Sequence, residues 1–316
     1  MGIWHKYSRL AYLAVFLGVC GHASSEFFSV LSGVKGPELS VWRFLLGGLG
    51  LIVLALFFPN SRNLLEPFRK DGLRLVGLSA MGVSVGYLLF HWSLDFATVP
   101  QVATMVTTIP IFVGLANLWL NKQPFSGPKM ISGACAMIGV ALLITDGYLA
   151  KLAGVGENFI GVVMALGCAA VVAAYTVMVR PIIGRYGALR ITAVTMFMGA
   201  VGLWLVVGIF WKIWVNPATL FQREPAQFMS LLTLGFWNTT IAQFLWIGGL
   251  AAVPDITRGS YLFFLKPVIA ACLAVIFLNQ GLTAWQVLAI LVICASVGVE
   301  AFWGWIRRPQ TNLMPG

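Results

Sequence analysis

Charge is what this sequence lacks most. Charged residues make up 9% of its 316 positions and hydrophobic residues 59%, against roughly 25% and 45–50% in an ordinary soluble domain. Ten acidic and twenty basic side chains cannot coat a globule of this size with water-facing groups. That excludes a soluble enzyme and a disordered chain. Cysteine is sparse too. Cys20, Cys135, Cys168, Cys272 and Cys294 each fall inside an apolar run, so neither a disulfide framework nor a zinc site is expected. There is no P-loop, hence no built-in nucleotide hydrolysis, and no His/Glu helix motif for a metal; no cofactor is expected. Basic stripes interleaved with aromatics are missing, so the net charge of +10 does not point to nucleic acid. The basic residues sit in short connectors, where insertion rules and anionic membrane lipid account for them.

What is abundant is apolar length. Crossing about 30 Å of hydrocarbon takes roughly 20 helical residues. The runs predict ten helices, over 10–31, 37–58, 73–96, 99–120, 129–146, 159–179, 189–211, 229–251, 255–277 and 284–305. Gly36-Pro37, Pro59-Asn60, Val99-Pro100, Pro124 to Pro128, Asn216-Pro217 and Val253-Pro254 punctuate them. Lys6 and Arg9 ahead of the first run, with Ala23-Ser24-Ser25 near its end, imitate a cleaved signal. Val19 before Cys20 speaks against lipoprotein processing, and the repeat described next requires this helix, so it is read as retained. Assigning connectors alternately to two sides puts 14 Lys/Arg on the side of the N-terminus and 4 on the other. The expectation is a multi-pass protein of the cell inner membrane with both termini cytoplasmic.

The chain repeats itself. Trp92-Ser93-Leu94-Asp95-Phe96-Ala97-Thr98-Val99-Pro100 and Trp246-Ile247-Gly248-Gly249-Leu250-Ala251-Ala252-Val253-Pro254 share Trp, Ala, Val and Pro at one offset of 154. Each is followed by a helix containing a proline (Pro110, Pro267) and ending near an asparagine (Asn121, Asn279), then by a final helix with Gly139-Val140 or Gly298-Val299. The halves are 10–146 and 159–305, five helices each. Five is odd, so the second half inserts upside down. The expected fold is therefore all-α and integral to the membrane, with ten transmembrane helices in two inverted five-helix repeats. Such repeats supply two nearly equivalent states around a midplane site, the basis of alternating access.

These segments, with Trp42-Arg43-Phe44-Leu45-Leu46 on helix 2, Pro110-Ile111, Pro267-Val268 and the Gly133 to Gly139-Val140 pattern, resemble the drug/metabolite transporter superfamily, specifically its ten-helix EamA type. The resemblance spans roughly residues 10–305. It implies an exporter of small metabolites such as amino acids, with a cavity lined by helices 1, 3, 4, 6, 8 and 9. Relatives carrying sugar phosphates or nucleotide sugars form the second option. Asn121-Lys122 and Asn279-Gln280 stand where that family often has Gly-Glu, so the role of those acids does not transfer.

An ionisable group at bilayer depth costs at least about 2.5–3.5 kcal/mol, which makes it a functional candidate. His22 and Glu26 share a face of helix 1, and Arg43 lies at similar depth on helix 2. A Glu26–Arg43 ion pair either locks that hairpin or presents one member to substrate or to a coupling proton. Tyr87 and His91 share a face of helix 3, with Trp92 beside them. Helix 8 offers Asn238, Gln243 and Trp246; helix 9 offers Tyr261, about three turns of side-chain reach below the extracytoplasmic mouth, and mid-helix Lys266 before the kinking Pro267. Lys266 would hold a substrate carboxylate or phosphate, or else pair with Glu26 or Glu300. Pro110 and Pro267 would let the gating helices bend. Several tryptophans, Trp42 and Trp119 among them, fall near helix ends as an interfacial belt would.

Gly82-Val83-Ser84-Val85-Gly86 imitates a serine-hydrolase elbow, but inside a hydrophobic helix it reads as a packing surface. A small-molecule carrier is thus favoured over an intramembrane lipid-modifying enzyme or a channel.

Overall fold

The computed structural model describes residues 8–97, 99–124, 127–147, 159–278 and 281–306. Among these no strand occurs. We label the helical rods in chain order. α1 runs as Ser8–Ala23 and Ser25–Leu31, α2 is Gly36–Phe57, and α3 joins Phe68–Ser79, Ala80–Val85 and Gly86–Ser93. α4 joins Val99–Val106 and Ile109–Asn121, and α5 is Gly127–Thr145. α6 is Phe159–Tyr186, α7 Ala188–Phe210, and α8 joins Pro225–Gly235, Phe236–Ile241 and Ala242–Ala252. α9 joins Ile256–Ser260, Tyr261–Leu265 and Lys266–Leu278, and α10 is Ala284–Ile306.

Eight of these rods, α1 to α7 and α9, are long and apolar enough to cross a membrane. α10 contributes a shorter apolar stretch, Ala284–Gly298. α8 is less apolar than the rest because Asn238, Thr239, Thr240 and Gln243 lie in its middle, all with no solvent exposure. The protein is a multi-pass membrane bundle.

The breaks in the rods have local causes. In α1, Ser24 Oγ donates to Gly21 O (3.1 Å) and Ser25 Oγ to His22 O (2.8 Å). Such back-bonding competes with the backbone ladder and bends helices. α4 and α9 both break just before a proline. Thr107–Thr108 interrupts α4 ahead of Pro110, and a 3-10 stretch, Tyr261–Leu265, precedes Lys266-Pro267. Proline lacks the amide for one ladder bond and clashes with the carbonyl four residues back.

Packing pairs the two halves. α1 lies along α8 as α3 lies along α6; α2 lies on α7, and α5 on α10. Exchanging first-half helices for their second-half counterparts returns the same set of pairs. The equivalence reaches single atoms. α3 and α8 each contain a π-helical turn, Ala80–Val85 and Phe236–Ile241. From the first, Ser84 Oγ donates to Gly199 O on α7 (2.8 Å). From the second, Thr240 Oγ1 donates to Gly47 O on α2 (2.9 Å). The imitation elbow is thus a helix-packing hydroxyl, and its twin carries no Gly-x-Ser-x-Gly pattern.

Both contacts need glycine. A Cβ on Gly199 would lie 2.3 Å from Val83 Cβ, and one on Gly47 would lie 2.4 Å from Thr239 Cβ. Close backbone approach through small residues is how helices associate in lipid, where no hydrophobic drive separates them from the tails.

α5, α10 and the 3-10 turn of α9 build a second apolar cluster around Val140, Tyr261, Phe264 and Ile293. Trp119, Trp214 and Trp285 are well exposed, as a belt requires, but Trp42 is 1% exposed. Its Nε1 donates to Glu38 Oε1 (3.1 Å), and the Arg223 guanidinium stacks on its ring at 5.1 Å. Trp42 is an internal anchor between α2 and the connector before α8.

Gly47→Ala and Gly199→Ala should each cost about 1–3 kcal/mol by overpacking. Gly77→Ala, whose Cβ would meet nothing within 4 Å, should be neutral. Thermal unfolding of the purified protein in detergent measures all three.

Candidate substrate cavity

A partly open cavity lies between the helices, with about 450 Å³ of space free of protein atoms when the open solvent at its mouth is included. Its charged and polar wall comes from His22 and Ser25 on α1, Arg43 on α2 and Lys266 on α9. Tyr87 and Phe90 of α3, Trp246 of α8 and Phe263 of α9 supply aromatic surface. Val106 and Ile109 of α4 with Cys168 and Val172 of α6 complete it.

Lys266 is 8% exposed although its ammonium sits mid-helix. Nζ lies 5.8 Å from the ring centre of Phe263 and 6.0 Å from that of Phe90, within cation–π range. The 3-10 turn before Pro267 turns this side chain and Phe263 inward together. Arg43 is 2% exposed. Its Nε donates to Thr239 Oγ1 (3.1 Å) and its terminal nitrogen to Asn238 O (3.4 Å). The π turn of α8 thus holds the guanidinium that α2 delivers. The Glu26 side chain lies outside the described residues, so the expected Glu26–Arg43 pair does too, as does the Glu300 side chain.

His22 meets Trp246 edge-on (centroids 6.3 Å apart, 87°) and Phe263 at 6.2 Å. Trp246 and Phe263 are 5.0 Å apart, forming one aromatic corner. Tyr87 packs on Phe44 at 4.1 Å, and its hydroxyl accepts from Gln243 Nε2.

Of the residues singled out from the sequence, His22, Tyr87, Trp246 and Lys266 line this cavity. His91 and Gln243 stand behind Tyr87. His91 Nδ1 is 2.7 Å from Ser40 Oγ and 3.1 Å from Tyr87 O. Asn238 clamps α8 to α1 by donating to Gly21 O and to Ser24 Oγ (2.9 Å). Trp92 stands apart from the cavity, edge-on to Trp211 at 4.8 Å.

Tyr261 does not line the cavity; it lies early in α9, and its hydroxyl donates to Lys129 O on α5. Pro110 and Pro267 follow the two breaks directly. His91 Nε2, Gln243 Oε1 and Asn238 Oδ1 are buried without a hydrogen-bond partner, which leaves three polar atoms for water or a ligand to satisfy.

Phe90, Val106, Ile109, Cys168, Val172 and Phe263 were not singled out from the sequence, nor was Arg43 placed in the cavity. Spacing from the prolines could have found some of them. Phe263 and Val106 each stand four residues before Pro267 and Pro110, and Lys266 and Ile109 directly before.

One end of the bundle is tied by polar contacts. Lys129 Nζ lies 2.5 Å from Asp255 Oδ2, and Asp255 Oδ1 caps α9 by accepting from Arg258 N (3.1 Å). From α6, Arg180 donates to Val253 O (2.5 Å) and Ala251 O (3.3 Å) at the end of α8. Burial raises the Asp255 pKa, but the Lys129 ammonium and the Arg258 amide outweigh it and hold the carboxyl below its ordinary range. A depressed carboxyl pKa contributes stability that is present above the unfolded value and lost as pH falls through the folded one. Asp255→Asn should therefore cost about 1 kcal/mol at neutral pH, and the difference should shrink as pH falls below the free carboxyl value. Unfolding midpoints of both proteins across pH 3–8 measure this.

The helical bundle, its paired halves and its cationic cavity are those of a polytopic membrane transporter. A model of the EamA-like transporter family matches residues 9–145 and 159–299, and the chain belongs to that family within the drug/metabolite transporter superfamily. It is 22% identical over 290 residues to an uncharacterized transporter of Clostridium kluyveri, covering 90% of this chain and 91% of the relative. It is 23% identical over 284 residues to the uncharacterized transporter YyaM of Bacillus subtilis, covering 89% and 88%. It is also 24% identical over 261 residues to one of Archaeoglobus fulgidus, covering 81% and 86%. A solved crystal structure shares the fold with a TM-score of 0.74 at 18% identity, over 94% of this chain and 96% of that one.

Proposed function

We propose that this transporter is a secondary carrier that moves a small amphiphilic metabolite bearing an anionic group, of the amino-acid or organic-acid kind. It acts by alternating access between two inverted halves. The observation that carries the reading is that Lys266 and Arg43 line one interior cavity whose remaining wall is largely aromatic and aliphatic. Two cations on the wall of one cavity attract an anionic group placed within it.

The excess of basic residues in the connectors on one side puts both termini in the cytoplasm of an inner-membrane protein. The tied end, at Lys129–Asp255, then faces the cytoplasm. Outward movement is the direction we assign, on the resemblance to exporters.

Counterflow in proteoliposomes tests the proposal against a panel of amino acids and short organic acids. Saturable uptake accelerated by substrate on the far side is expected for at least one. Lys266→Ala and Arg43→Leu should each lower kcat/KM by about tenfold or more, equivalent to about 1.4 kcal/mol of binding. Wild-type flux of every accepted substrate in both variants would remove these cations from the site.

A further inference from the structure

Pseudo-symmetry makes visible a polarity in the cavity that its composition conceals. α4 and α9 are counterparts, and each reaches the cavity with the residue before its proline and the one three positions earlier. In α9 these are Lys266 and Phe263; in α4 they are Ile109 and Val106. One half of the chain supplies an ammonium and a ring where the other supplies two branched aliphatics. The same division continues around the wall. α1 packs on α8 and α9 and these carry His22, Trp246 and Lys266; α4 packs on α6, which adds Cys168 and Val172, and on the first part of α9.

The aliphatic side is buried and fixed. Val106, Ile109, Cys168 and Val172 are each at most 6% exposed. A Cβ on Gly86 of α3 would lie 3.0 Å from Val172 Cγ2, so α3 backs this wall directly. None of the four carries a charge. They would leave any hydroxyl, amine or second carboxylate of a ligand without a partner, which costs more than an apolar group gains there.

We propose that Val106, Ile109, Val172 and Cys168 form a tail pocket. In it an organic monoanion places its hydrocarbon tail toward α4 and α6 while its carboxylate faces Lys266 and Arg43. This rests on the cavity being the substrate site and adds to it a ligand class and a direction. Small organic anions with no tail, and dianions charged at both ends, are rejected. The pocket-lining aliphatics set the accepted tail length, since ligand sites of this kind take affinity from apolar wall and orientation from a few polar groups.

The test uses Cys168 as a reporter inside the pocket. In a protein whose Cys20, Cys135, Cys272 and Cys294 are replaced by serine or alanine, the rate of Cys168 alkylation by N-ethylmaleimide is followed. The competitors are straight-chain monocarboxylates from acetate to hexanoate, the matching alcohols, and the dicarboxylate adipate. The concentration giving half-protection should fall by about fourfold per added methylene, the value of burying one CH2, until the tail fills the pocket. Carboxylates should outperform alcohols of equal length, and adipate should protect more weakly than hexanoate. Ile109→Ala should move the optimum to a longer tail, and Val172→Phe to a shorter one. Lys266→Gln should abolish the preference for carboxylate while leaving the dependence on length.

Protection independent of tail length, no protection by any monocarboxylate, or an optimum that neither Ile109→Ala nor Val172→Phe moves would overturn the tail pocket. Counterflow separates the two readings. Transport with no dependence on tail length sinks the pocket and keeps the carrier; length-dependent protection without counterflow keeps the pocket and sinks the carrier.

Discussion

Hydrocarbon offers a polar group nothing to bond with, and the rest of this structure follows from that. Every backbone amide, hydroxyl and charge at membrane depth has to find its partner inside the bundle. The clearest answer is the doubled contact in which a hydroxyl on a π turn donates to a glycine carbonyl on a neighbouring helix, Ser84 to Gly199 and Thr240 to Gly47. It joins α3 to α7 and α8 to α2. The same π turn of α8 then offers Thr239 and Asn238 O to Arg43. Packing, polarity and the cavity wall are thus held by one short stretch of chain. The wide π turn is the kind of local irregularity that often marks a functional site.

The two halves share a scaffold and differ in chemistry. Prolines break α4 and α9 at corresponding places, yet what precedes each proline differs: Ile109 in one, Lys266 in the other. Clamps between helices differ too. Asn238 reaches across to Gly21 O, where the other half has Gly82 accommodating the ring of Tyr175. A repeat whose halves were chemically identical would form a cavity with no preferred end. Divergence on a common frame gives this one unlike residues at equivalent places, Lys266 and Phe263 against Ile109 and Val106. The frame itself tolerates wide sequence change, as the shared fold at 18% identity shows.

Reading the sequence exposed those features whose cost in lipid is large and local. Lys266, His22, Tyr87 and Trp246 stand out in an apolar chain, and all four line the cavity. The prolines marked the breaks in α4 and α9. Other expectations depended on facing directions that a hydropathy pattern does not encode. Trp42 looked interfacial by position and is an internal anchor, because Glu38 and Arg223 enclose it. Tyr261 was counted among the substrate contacts and instead bonds the backbone at Lys129, outside the cavity lining. His91, Gln243 and Asn238 are polar residues at the right depth that support the wall from behind, since depth along a helix says nothing about rotation about its axis.

Composition and periodicity alone determined that the chain lives in the membrane, that it is helical, and that it repeats. Those properties come from transfer free energies and chain length, which sum over residues irrespective of their neighbours. Which cations share a pocket, which hydroxyl meets which glycine and which aliphatics share the cavity with Lys266 was decided only when the helices packed. Each of those relations joins residues far apart in the chain, through backbone approaches that one added Cβ would block.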